Sequence, residues 1–237
     1  MIEVIPAILE KNYEGMKNKI ALVRGIVPVV QVDLCDGIFV PSKTWPFDSA
    51  HGELMSDFNF QRILNEEEGM PFWQDIEFEL DMMVSDAVSN FDIYTKLGAK
   101  RIIFHLESVG SLDEFKDFLE GMDVYIRDTL EIGIALRPST PNEKIFPLIN
   151  YIDFVQCMGN DKIGQQGVEL DEKVYEKIKD LREKYKDLPI AVDIGVNEHT
   201  APFLVEAGAT KLVAGSMIFK SDDIRETVSE LESIDIK

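Results

Sequence analysis

Short apolar runs recur along the chain, and each is followed by a charged stretch in which apolar residues return at helical spacing. The runs are Glu3–Ile8, Pro28–Asp33, Glu77–Val84, Arg101–His105, Glu131–Leu136, Phe154–Met158, Ile190–Ile194 and Lys211–Gly215. They are nearly continuous in hydrophobic residues rather than alternating, as strands buried on both faces of a parallel sheet are. Helical patterns are predicted at Tyr13–Arg24, Val88–Leu97, Leu112–Met122, Glu143–Ile149, Glu172–Tyr185 and Thr200–Ala207, with Asp223–Leu231 near the end. Strand–helix alternation of this regularity over 237 residues predicts an α/β fold, a (β/α)8 TIM barrel rather than an open sheet.

A weak internal repeat fits that architecture. Leu97-Gly-Ala-Lys-Arg-Ile-Ile-Phe-His105 parallels Ala207-Gly-Ala-Thr-Lys-Leu-Val-Ala-Gly215. Each reads as a helix ending at glycine, a short link and a strand. The rhythm breaks over 40–75, which holds Pro41, Pro46, Pro71, both tryptophans and the run Glu66-Glu67-Glu68. That is long for a strand–helix connection. The chain reads as a single barrel domain, 1–237, with this expanded connection after the second strand. On the C-terminal face of a barrel the expansion is either a lid or a surface elaboration.

Composition narrows the function. The 45% hydrophobic content fills a sizeable core. No apolar stretch approaches the ~18 residues of a membrane span, and the N-terminus lacks the pattern of a secretory leader. Cys35 and Cys157 sit far apart in apolar runs and read as reduced and buried, which suits the cytoplasm. Lys and Arg number 24 against 44 Asp and Glu, a net charge of −20 that repels nucleic acid. A small phosphate ester remains compatible, because backbone N–H groups at helix starts bind phosphate without basic side chains.

In a barrel the C-terminal strand ends converge on one mouth. Those ends carry Gln31 and Asp33, which share a face, then Glu79, Asp81 and Met83, His105, Arg137, Met158, Asp193, and Gly215 with Ser216. Asp36-Gly37 reads as a turn. Asp33 and Asp193 each end a strongly apolar run, where an unpaired charge is expensive, and are candidate functional carboxylates. Loops at Gly164, Gly195 and Gly215-Ser216 follow the sixth, seventh and eighth strands. Together they predict the phosphate cradle that barrel enzymes build there.

The strings Ile5-Pro-Ala-Ile-Leu9, Val32-Asp-Leu-Cys-Asp-Gly-Ile-Phe-Val-Pro41, Leu80-Asp-Met-Met-Val84, Leu136-Arg-Pro-Ser-Thr-Pro141, Val192-Asp-Ile-Gly-Val196 and Val213-Ala-Gly-Ser-Met-Ile-Phe219 resemble, in order and spacing, the ribulose-phosphate 3-epimerase family. The resemblance implies an isomerase that epimerises a ketose phosphate, D-ribulose 5-phosphate to D-xylulose 5-phosphate, through an enediolate. Asp33 and Asp193 would be its acid and base on opposite faces of the substrate. It implies phosphate binding at Gly164, Gly195, Gly215 and Ser216, a divalent metal, no organic cofactor, a phosphorylated sugar as partner, and a homo-oligomer.

The departures cluster at the metal site. The family's ligands are two histidines and two aspartates; here Gln31 and Asp81 stand at the histidine positions. A site of Gln31, Asp33, Asp81 and Asp193 offers only oxygen, which favours Mg2+ or Mn2+ over Zn2+. The alternative is a metal-free, hydrogen-bonded network in a non-catalytic phosphosugar-binding relative, or another phosphosugar isomerase or lyase on the same barrel. Ala7 replaces a serine of the family. Arg137 replaces an asparagine and is a possible charge substitute for the metal; its bland reading is an ion pair with Asp81 or Asp193. Lys162 is the weaker candidate for the same part. His105 reads as a packed, hydrogen-bonded residue, His199 as surface, and His51 has no evident partner.

Overall fold

All the predicted strands form, and they close a parallel barrel in sequence order: β1 (Glu3–Ile8), β2 (Val29–Cys35), β3 (Glu77–Met83), β4 (Arg101–His105), β5 (Glu131–Leu136), β6 (Phe154–Met158), β7 (Ile190–Asp193) and β8 (Lys211–Ala214). β8 pairs with β1, Glu3 opposite Lys211 and Ile5 opposite Val213, so no edge remains. The computed structural model describes residues 2–47 and 57–234.

The helices lie between the strands: α1 (Tyr13–Val23), α2 (Phe58–Leu64), α3 (Phe91–Thr95), α4 (Leu112–Glu120), α5 (Val124–Arg127), α6 (Lys173–Lys184), α7 (Ala201–Ala207), α8 (Ser216–Phe219) and α9 (Ile224–Glu232). Side-chain caps start several of them. Asn12 accepts the Gly15 N–H at 2.8 Å, and Asp57 accepts that of Phe60 at 3.0 Å. The connection before β6 differs from expectation. Asn142–Tyr151 is a 3-10 helix, and Pro147 inside it has no N–H to donate to the preceding turn.

Strand parity divides the apolar residues into two bodies. Ile8, Val30, Val32, Leu80, Phe104, Ile134 and Leu212 point outward against the helices. Ile5, Ala7, Val29, Ile103, Ala135, Phe154 and Val213 point inward and fill the barrel. Phe154 packs so closely on Gly133 that a Cβ there would lie 2.4 Å from the ring. Below this filling, Arg101 bonds to Glu3, Glu79 and Glu131, one carboxylate from each of three strands, at 2.9–3.1 Å.

The expanded connection divides between two places. Trp45, Phe47, Phe60 and Ile63 are buried in the outer body, with Trp45 against Tyr13 and Phe60 at 5.7 and 5.6 Å. α2 therefore fills the helix position after β2. Residues 48–56, including His51, lie outside the described residues, and the chain before them lies at the barrel mouth. There, residues 37–41 cross the mouth as a strap. Phe39 reaches His105 of β4, and Val40 meets Gly164 after β6.

Candidate active site

The C-terminal end of the barrel gathers carboxylates. Asp33, Asp81 and Asp193, from β2, β3 and β7, each place an oxygen within 4.8 Å of the others, and all three are buried. Their convergence follows from strand parity and the register that sets Asp33 opposite Asp81. Gln31, one step below Asp33 on the same face, donates from Nε2 to Asp33 Oδ1 at 2.8 Å and to Asp193 Oδ2 at 3.3 Å. Its Oε1 is buried without a partner.

Asp81 is held from the other side. His105 Nε2 lies 2.7 Å from Asp81 Oδ1, and Gln156 Nε2 lies 3.3 Å from Oδ2. His105 is packed and hydrogen-bonded, and its partner is a site carboxylate. Gln156 was not singled out by the sequence. Its position two residues before Met158, on the inward face of β6, is the signal that identifies it.

Crowding raises the carboxyl pKa values. Burial, then the charges of Asp193 and Asp81, push Asp33 well above the usual carboxylate range, against the donation from Gln31. Burial and the charge of Asp81 push Asp193 up to about 7, against the N–H of Ile194 and the amide of Gln31. That N–H reaches Asp193 Oδ1 at 2.7 Å because Ile194 adopts φ +77, a left-handed conformation that costs a β-branched residue ~1–2 kcal/mol.

Asp33 and Asp193, but not Asp81, line a cavity of about 480 Å3 at the mouth. Gly164, Gly195, Gly215 and Ser216 line the same cavity, as do Gln166 of the loop after β6 and Lys220, which the sequence did not single out. Gly195 needs its positive φ of +75, and a Cβ there would lie 2.7 Å from the Leu170 backbone. Ser216 begins α8, whose first backbone N–H groups have no partner within the helix.

Several other expectations are met. Asp36 is a turn residue that also ties loops together. It accepts N–H bonds from Ile38 and Phe39, and bonds from the N–H and hydroxyl of Ser85. Arg137 forms no ion pair with Asp81 or Asp193; its guanidinium lies over the Phe39 ring, 4.9 Å from the centroid. The same ring also contacts His105, with centroids 5.5 Å apart. Lys162 and His199 are exposed, and both cysteines are buried free thiols.

The Ribulose-phosphate 3 epimerase family model matches residues 3–219. The chain belongs to the ribulose-phosphate 3-epimerase family. It is 29% identical over 237 residues to a ribulose-phosphate 3-epimerase of Bacillus subtilis (strain 168), covering 98% of each chain. The cytoplasmic isoform from Oryza sativa subsp. japonica is 26% identical over 239 residues, 97% of this chain and 92% of that one. Among solved structures, KGPDC from Streptococcus mutans has a TM-score of 0.65 at 14% identity, covering 99% of both chains, a likeness of fold. Among the described residues, no helix of this family member is long and apolar enough to cross a membrane.

Proposed function

We propose that the protein epimerises a ketose phosphate, D-ribulose 5-phosphate to D-xylulose 5-phosphate, with Asp33 and Asp193 as its acid and base. The observation that carries this reading is that two carboxyls from β2 and β7 line one cavity beside the glycine loops, both with raised pKa values. Inverting a carbon next to a carbonyl requires proton removal on one face and delivery on the other. A crowded pair serves that need, because two neighbouring carboxyls resist ionising together, so one holds a proton while the other is a base. Gln31, bonded to both, fixes their separation. The backbone at Gly164, Gly195, Gly215 and Ser216 would hold the phosphate.

The donor set also fits a divalent metal. Three buried carboxylates and the unpartnered Gln31 Oε1 are hard oxygen donors, and Gln31 could present that oxygen by turning its amide. Asp33, Asp81, Asp193 and Gln31 would hold the ion, with His105 and Gln156 orienting Asp81. When bound, a divalent cation stabilises negative charge developing on the substrate oxygens.

A second reading, phosphosugar binding without turnover, draws on the Gln31 amide, which already closes a hydrogen-bonded link between the two aspartates. Solvent deuterium uptake at C3 of ribulose 5-phosphate separates the two. Uptake with epimer formation supports catalysis; tight binding with neither supports the second reading.

A further inference from the structure

We propose that Arg137 is a specificity-determining residue that receives a second anionic group, a carboxylate or a phosphate, at the ligand end remote from the phosphate loops. The inference rests on the reading of the site as one for a phosphorylated sugar. Arg137 follows the last residue of β5. Ala135, two residues earlier, faces the barrel interior, and parity directs Arg137 the same way one step higher, into the mouth. Its guanidinium lies on Phe39, which belongs to the loop after β2. The side chain therefore leans across the mouth over β3 and β4, the side opposite β7 and β8 and their phosphate loops.

The guanidinium is preorganised and unspent. Among the described residues no carboxylate forms an ion pair with it, although the chain carries 44 Asp and Glu against 24 Lys and Arg. Its Nε is buried and has no hydrogen-bond partner, a state that calls for an acceptor. The loop that carries it is fixed. Arg137 N donates to Glu107 Oε1 at 3.0 Å, the Thr140 hydroxyl bonds to the same oxygen, and Ser139 donates twice to Asp161. The ring beneath sets the plane of the fork, which offers parallel N–H groups to a carboxylate or phosphate. With the phosphate of a five-carbon chain at Gly215 and Ser216, the end nearest Arg137 is C1. The ligand class implied is a phosphosugar with an acid or a second phosphate at C1.

Calorimetric binding of ribulose 5-phosphate, ribonate 5-phosphate and ribulose 1,5-bisphosphate tests this. At least one of the two ligands with a second anionic group should bind about tenfold or more tighter than ribulose 5-phosphate, the scale of a charge-assisted hydrogen bond. A margin for ribonate 5-phosphate alone assigns a carboxylate, and for the bisphosphate alone a phosphate. Arg137→Asn should bring the affinities together, while Arg137→Lys, which keeps charge without the fork, retains part of the margin. No preference in the wild type, as neutralisation of Arg137 by Glu107 would produce, overturns the proposal. So does a margin that survives Arg137→Asn. Preference without epimerisation refutes the proposed activity alone, and epimerisation without preference refutes this inference alone.

Discussion

The side-chain amide of Gln31 reaches the carboxylate of Asp193 across the barrel at 3.3 Å, while bonded to Asp33 at 2.8 Å. One neutral side chain thus holds two acids from the second and seventh strands in a fixed relation. If those acids serve opposite faces of a substrate, neither substitutes for the other. Asp33→Asn and Asp193→Asn should each lower epimerase turnover about a hundredfold or more. The measurement is a coupled assay alongside exchange of the C3 proton with solvent. One variant should retain exchange in a single epimer. Two fully active variants would exclude the two-aspartate mechanism.

Metal preference follows from the oxygen-only donors. Protein freed of metal with a chelator should gain thermal stability on addition of Mn2+ or Mg2+, by mass action on the folded state, and more than with Zn2+. Asp81→Ala should reduce that gain. Thermal scans at several ion concentrations provide the test, and equal or absent shifts for all three ions would count against an oxygen-donor metal site.

Glu79 gives a pH dependence remote from the cavity. Burial raises its pKa from 4.5 to about 7, although Arg101 and Lys211 oppose the shift. Between those values the folded protein keeps a proton that the unfolded chain releases, so stability falls as pH rises from about 4.5 to about 7. The contribution is on the order of 3 kcal/mol, fully present below that window and lost above it. Glu79→Gln should flatten this part of the slope in denaturant titrations from pH 4.5 to 8, leaving the parts due to Asp33 and Asp193.

Two glycines of the proposed cradle, Gly195 and Gly215, should fail differently. A Cβ at Gly215 would lie 3.1 Å from both the Ala7 carbonyl oxygen and the Gln166 amide, without backbone strain. Gly215→Val should weaken phosphosugar binding more than it lowers the melting temperature. Gly195→Ala meets both an unfavourable φ and the Leu170 backbone, so it should lower the melting temperature by several degrees. Calorimetry and thermal melts on the same preparations distinguish the two.

The barrel was legible because buried parallel strands are written as unbroken apolar runs, and the carboxylates because Asp33 and Asp193 end such runs. Less local features were not. That Asp81 leans on His105 and Gln156 depends on the stagger between strands, which no single segment encodes. The 3-10 geometry before β6 hung on Pro147 within an otherwise helical pattern. Arg137 was recognisable as a lone cation, but its seat on Phe39 depends on a loop from three strands away. Ile194 read as one more apolar residue, and only the backbone shows its left-handed turn.

The ion cluster around Arg101 and the packed interior above it make the barrel a blind well. Water, ligand and protons all pass through the same opening. A phosphosugar bound as proposed would cork it, with its phosphate at the rim and its reacting carbons below. In the proposed reaction a proton lifted by Asp33 or Asp193 would reach bulk water only past the bound ligand. How often it returned to the sugar instead of being washed out would then follow how tightly the ligand closes the opening, so label retention becomes a gauge of that seal.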